Sequence, residues 1–128
     1  MFVEGGIFMQ CIKVEGKLNN YEEELNRIIK EKRKKNMYLK EAYLENNVIV
    51  LVFSINENAI CKKRTVAVQG KIKNYKDKYD FIRTQTTSRR SFGDHMYITW
   101  SVVGCLEFDG KYLLFITRKR RGYHRKKR

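Results

Sequence analysis

The chain has 128 residues, 28 Lys and Arg against 14 Asp and Glu for a formal net charge of +14, and no proline. That length holds one hydrophobic core and not two. Its charge calls for a polyanionic partner: nucleic acid, an anionic membrane surface or an acidic protein face. Cys11, Cys61 and Cys105 are widely spaced, with no CxxC and no histidine at ligand spacing, which excludes any recognisable zinc motif and reads as three thiols in a reducing compartment. Met1–Gln10 lacks the basic start and long apolar run of a signal peptide, and Val48–Phe53 is too short an aliphatic run to cross a bilayer. A cytoplasmic protein with no membrane segment, no metal and no cofactor is expected.

The first strand expected is Ile7–Val14, with Phe8, Ile12 and Val14 on one face; Met9 could serve as an alternative start, making residues 1–8 an extension. A helix follows over Asn20–Lys35. Asn20 is its N-cap, Glu23 stands in capping-box position, Glu22–Glu24 open it, and Lys30–Lys35 close it in accord with the macrodipole. Tyr21, Leu25, Ile28 and Ile29 form its apolar stripe. Arg27, Lys30 and Lys34 line the opposite side, with Glu23–Arg27 and Glu31–Lys35 as candidate ion pairs.

Met37–Leu44 and Val48–Ile55 read as a hairpin turned by Asn46-Asn47, the first an edge strand and the second, apolar on both faces, central. Ile60–Ile72 reads as a strand with Gly70 at a bulge. Lys78–Thr84 reads as one further strand and residues 84–93 as a mobile polar loop.

Tyr97–Phe108 and Lys111–Thr117 form a second hairpin around Asp109-Gly110, a dipeptide suited to a type I′ turn. Its register pairs Phe108 with Lys111, Leu106 with Leu113, Gly104 with Phe115 and Val102 with Thr117. Both faces are apolar, so this hairpin is expected at the centre of the fold.

The fold expected is α+β: a twisted antiparallel sheet of about five to seven strands with one main helix (residues 20–35) on one face. The other face is closed by sheet curvature, by the Lys73–His95 segment, or by a second copy of the chain in a homodimer. Residues 1–117 form the domain and 118–128 a disordered basic tail. The tail holds eight basic residues and no acid, more than half of the net charge.

Candidate nucleic-acid contacts are Lys62, Lys63 and Arg64 before an apolar strand; Arg89 and Arg90 in the polar loop; and Arg118, Lys119, Arg120, Arg121, Tyr123, Arg125, Lys126, Lys127 and Arg128 in the tail. Lysine and arginine neutralise phosphates while exposed aromatics such as Tyr75, Tyr79, Phe81, Phe92 and Tyr123 stack on unpaired bases, so the mixture suits single-stranded or irregular nucleic acid, RNA ahead of DNA. No catalytic residue is assigned. Asp109-Gly110-Lys111 with Glu107 and Asp94 imitates a metal-nuclease element, but a turn is sufficient reason for it. His95 beside Asp94, with His124 beside Tyr123, keeps a metal-free ribonuclease as a third reading. The second is an inhibitor or adaptor that docks on an acidic protein or nucleoprotein surface.

Overall fold

A computed structural model describes residues 9–14, 19–55, 64–86, 90–92, 96–98, 100–118 and 122–123. In chain order the elements are β1 (Met9–Val14), α1 (Tyr21–Lys34), β2 (Tyr38–Glu45), β3 (Val48–Ser54), β4 (Thr65–Lys71), a 3-10 turn (Ile72–Asn74), α2 (Lys78–Thr86), β5 (Arg90–Phe92), β6 (Met96–Ile98), β7 (Trp100–Phe108), β8 (Lys111–Arg118) and β9 (Gly122–Tyr123). The class is α+β, and every strand pair among the described residues is antiparallel. The single sheet expected is instead divided into three three-stranded ladders, ordered β1-β3-β2, β4-β8-β7 and β5-β6-β9, and there are two α-helices among the described residues where one was expected.

α1 forms where its caps place it. Asn20 Oδ1 accepts from the Glu23 N–H at 3.1 Å, satisfying one of the orphan donors of the first turn. At the other end Asn36 takes φ +64°, its N–H donates to Arg33 O, and the Met37 N–H reaches Lys32 O, the paired bonds of a Schellman stop. The stripe Tyr21, Leu25 and Ile29 is buried, with Ile28 packed beside it. On the solvent side Arg27 pairs with Glu24 and Glu31 rather than with Glu23.

β3 is central in its ladder and buried from Ile49 to Ser54, as its two apolar faces require. Its hairpin with β2 turns through Asn46 and Asn47 at φ +53° and +64°, the signs a type I′ turn needs. Asp109 and Gly110, at φ +55° and +73°, turn the β7–β8 hairpin in the same way. There the expected register holds for Phe108–Lys111, Leu106–Leu113 and Gly104–Phe115, then shifts by one residue: Val102 faces Ile116 and Ser101 faces Thr117. An extra residue between Val102 and Gly104, a bulge, causes the slip. The hairpin is also not central as a whole. β8 lies between β4 and β7 with Tyr112–Thr117 buried, whereas β7 is the outer strand of the ladder and buries only Leu106.

The two larger ladders meet where β2 runs beside β7; a Cβ added at Gly104 would lie 3.6 Å from the Ala42 carbonyl. α1 spans the opposite side. Asn26 donates to Ala67 O at 2.9 Å and accepts from Ala67 N–H at 2.7 Å, so that its amide continues the ladder at the free edge of β4, and Lys32 Nζ reaches the Gln10 side chain of β1. One core therefore forms inside the curve, from Tyr21, Leu25 and Ile29 of α1 with Leu39, Leu51, Phe53, Leu113 and Phe115. On the outer face of β8 the described part of the Lys73–His95 segment provides cover, since Phe81 of α2 packs on Tyr112, Leu114 and Ile116.

That segment departs most from the sequence reading. Lys78–Thr84 is helical, because Asp77 Oδ1 accepts from the Asp80 N–H at 2.8 Å and starts a turn that continues through Phe81 N–H to Asp77 O. Thr84–Thr86 complete the helix, and Arg90–Phe92 form β5, so the stretch read as a mobile loop contributes to two elements. Gly70 is not at a bulge. The β4–β8 register is continuous from Thr65–Thr117 to Lys71–Lys111, and Gly70 instead leaves room for the Phe81 ring.

Candidate nucleic-acid interface

The register of the β4-β8-β7 ladder determines where the basic segments meet. Thr65 pairs with Thr117 and Ser101 with Thr117, while Trp100 pairs with Arg118. The start of β4, the end of β8 and the start of β7 thus lie at one end of this ladder. Arg64, exposed and immediately before β4, stands there with Arg118 at the last position of β8. The Arg64 carbonyl accepts from the Thr117 hydroxyl at 3.3 Å, which ties the two chain segments together.

The small ladder belongs to the same chain connections. β6 pairs with β5 as Arg90–Ile98, Ser91–Tyr97 and Phe92–Met96, and with β9 as Met96–Tyr123 and Tyr97–Gly122. β7 begins two positions after β6 ends, and β9 follows β8. Segments far apart in sequence, the one carrying Arg90 and the one carrying Tyr123, therefore flank a common strand. Where the sequence reading ends the domain at residue 117, β8 runs to Arg118 and Gly122–Tyr123 form β9. Lys62, Lys63, Arg89, Lys119, Arg120, Arg121, Arg125, Lys126, Lys127 and Arg128, like Asp94, His95 and His124, lie outside the described residues.

The aromatics divide by burial. Phe81 is wholly buried, stacked on Tyr112 at 5.7 Å and edge-on to Tyr75 at 5.0 Å, and so belongs to the core. Tyr79, on the other side of α2, is 81% exposed and can offer a ring face. Trp100 at the arginine end is partly buried against the second core cluster. Burial and the 3.6-residue period together could have separated Phe81 from Tyr79, had the segment been read as a helix.

The titratable groups show structural pairing. Arg83 beside Asp80 and Arg27 beside Glu24 hold those carboxyls below the usual range, each pair lying on one helix face. Burial pushes the Cys105 thiol up, with Lys78 opposing, and burial also raises the Tyr112 phenol. Among the described residues no group of three or more His, Cys, Asp or Glu could hold a metal ion, and no helix is long and apolar enough to cross a membrane. Asp109 sits exposed at the tip of its turn. No family model, curated protein or solved structure matches this chain.

Proposed function

We propose that this is a nucleic-acid-binding protein, non-enzymatic, with a preference for single-stranded RNA over DNA. The observation that carries the reading is the convergence of Arg64, Arg118 and Trp100 at one end of the β4-β8-β7 ladder, from which the basic tail departs. Charges concentrated at one end bind a phosphate chain better than the same charges scattered, because each phosphate neutralised releases counterions along a continuous stretch. The polar segment Arg89-Arg90 and the tail supply affinity, and an exposed ring such as Tyr79 supplies stacking on unpaired bases. α1 is the less favourable face, since Arg27 is already held by two glutamates.

The test is binding of labelled single-stranded RNA, single-stranded DNA and duplex DNA across a salt series. It compares the whole chain with a full-length variant carrying Gln at Arg64, Arg125, Lys126, Lys127 and Arg128. With about five phosphate-neutralising charges removed, the slope of log K against log salt falls by roughly 3.5, at about 0.7 per phosphate on a single strand. Absence of binding to all three near physiological salt refutes the proposal and turns attention to an acidic protein surface.

A further inference from the structure

At the opposite end of the same ladder, three lysines line one depression with no ion pair to any of them among the described residues. β4 pairs with β8 through to Lys71 opposite Lys111, and Lys73 follows in the 3-10 turn. Lys71, Ile72, Lys73, Gly110 and Lys111 line an open depression of about 410 Å³. Like charges placed directly across a ladder are unfavourable, and sequences ordinarily avoid them or set a carboxylate between them. Among the described residues none of the three lysines makes an ion pair. Asp109 and Glu107 on the adjoining hairpin and Glu22 of α1, whose N–H donates to the Gln69 side chain, are the carboxylates the fold brings to this end.

The scaffold beneath the lysines is held firmly. The Ile72 N–H donates to Gly110 O at 3.2 Å, locking the 3-10 turn to the tip of the β7–β8 hairpin. Lys111 Nζ lies 5.5 Å from the centre of the Tyr21 ring, which steadies one ammonium. Gly110 has open space where a side chain would stand, so the floor is accessible. β4, with seven residues, separates this depression from the arginine end by about 20 Å at the usual rise per residue.

We infer that this depression is a separate binding site for a small phosphate anion of diphosphate size, held by Lys71, Lys73 and Lys111. The three ammoniums supply point-charge contacts to the phosphate oxygens, and the bound anion removes the Lys71–Lys111 repulsion. Its occupant is a free anion, not the strand proposed for the arginine end, from which it is set apart by the length of β4.

The test uses the full chain and inorganic pyrophosphate, followed by amide NMR shifts and by calorimetry. The amides of Ile72 and Gly110 shift and saturate with one pyrophosphate per chain. The double substitution Lys71→Gln with Lys111→Gln weakens binding by roughly a hundredfold, about tenfold for each ammonium removed. The charge-matched pair Lys30→Gln with Lys34→Gln, on the exposed side of α1, leaves it unchanged. RNA affinity measured on the same lysine variants stays within about twofold if the two ends act separately. Shifts that do not saturate, or a weakening that the α1 pair reproduces, would overturn the site; an equal drop in RNA affinity in the Lys71 and Lys111 variant would overturn its independence. A protein that binds pyrophosphate here but no nucleic acid leaves this inference standing and removes the proposed function.

Discussion

Gly70→Ala tests the seating of α2 on the sheet. A Cβ at this position would lie 2.5 Å from Phe81 Cε1 and 2.9 Å from Cδ1, inside any permitted carbon contact. The ring cannot yield, since Phe81 is fully buried between Tyr75 and Tyr112. Forcing a methyl group into such a site costs about 1–3 kcal/mol, while replacing a strand glycine returns about 0.5–1 kcal/mol. A net destabilisation of about 0–2.5 kcal/mol, centred near 1 kcal/mol, is expected, read as a lower urea midpoint at unchanged m-value. Phe81→Leu alone loses packing, about 1–2 kcal/mol, but makes room. The double variant is therefore more stable than the sum of the singles by about 1 kcal/mol or more, the mark of a direct contact. A stabilising Gly70→Ala, or strict additivity with Phe81→Leu, would refute the reasoning.

Three further outcomes are expected. Asn26→Ala removes both bonds to Ala67 and leaves a partly buried edge unsatisfied; a loss of about 2–3 kcal/mol in chemical denaturation, with faster hydrogen exchange at the Ala67 amide, checks it. Thr65→Val replaces a hydroxyl that is buried with no hydrogen-bond partner among the described residues by a methyl group of the same shape, and raises stability by about 1 kcal/mol; a fall in the urea midpoint contradicts it. Asp80 and Glu24 have lowered folded-state pKa values, so their stabilisation is present above the ordinary carboxylate range and is lost as pH falls through the folded values. Accordingly Asp80→Asn flattens the acid limb of a pH–stability curve, and an unchanged limb would show that the Arg83 pair contributes nothing.

Elements whose reason lies within a few residues were legible in the sequence. Asn20 announces the start of α1 through its side-chain cap, and the Asn46-Asn47 and Asp109-Gly110 turns announce their hairpins because positive φ restricts the residue types allowed. The apolar run at Val48–Phe53 announces a central strand. Features set by distant partners were hidden. The α2 helix has a weak apolar pattern, and its decisive signal, Asp77 capping Asp80, was masked by the strand-like alternation of Tyr79, Phe81 and Arg83. Gly70 serves a ring eleven positions away in sequence, which local pattern cannot reveal. The slip at Val102–Gly104 is of the same kind, since a bulge alters register without altering composition. As for the candidate site, its residue types were evident from charge, but the pairing that sets Arg64 beside Arg118 depends on which strand lies next to β8.

This distribution of charge bears on how a polyanion would lie. Helix α1 is rich in basic residues, yet Glu24 and Glu31 flank Arg27 and the acidic first turn faces the sheet end near Gln69, so its surface field alternates in sign. The ladder ends differ in kind as well as in place. Arg64 and Arg118 are guanidinium groups, which fork onto adjacent phosphate oxygens and stack on rings; Lys71, Lys73 and Lys111 are compact ammoniums suited to a concentrated charge. A strand of nucleotides, with one charge per unit and flat bases between, matches the first arrangement. A short condensed phosphate, with several charges in a small volume, matches the second. Exchanging the chemistry of the two ends, with Lys at 64 and 118 and Arg at 71 and 111, keeps the net charge of +14. Any change in selectivity that follows can therefore be assigned to geometry instead of total charge.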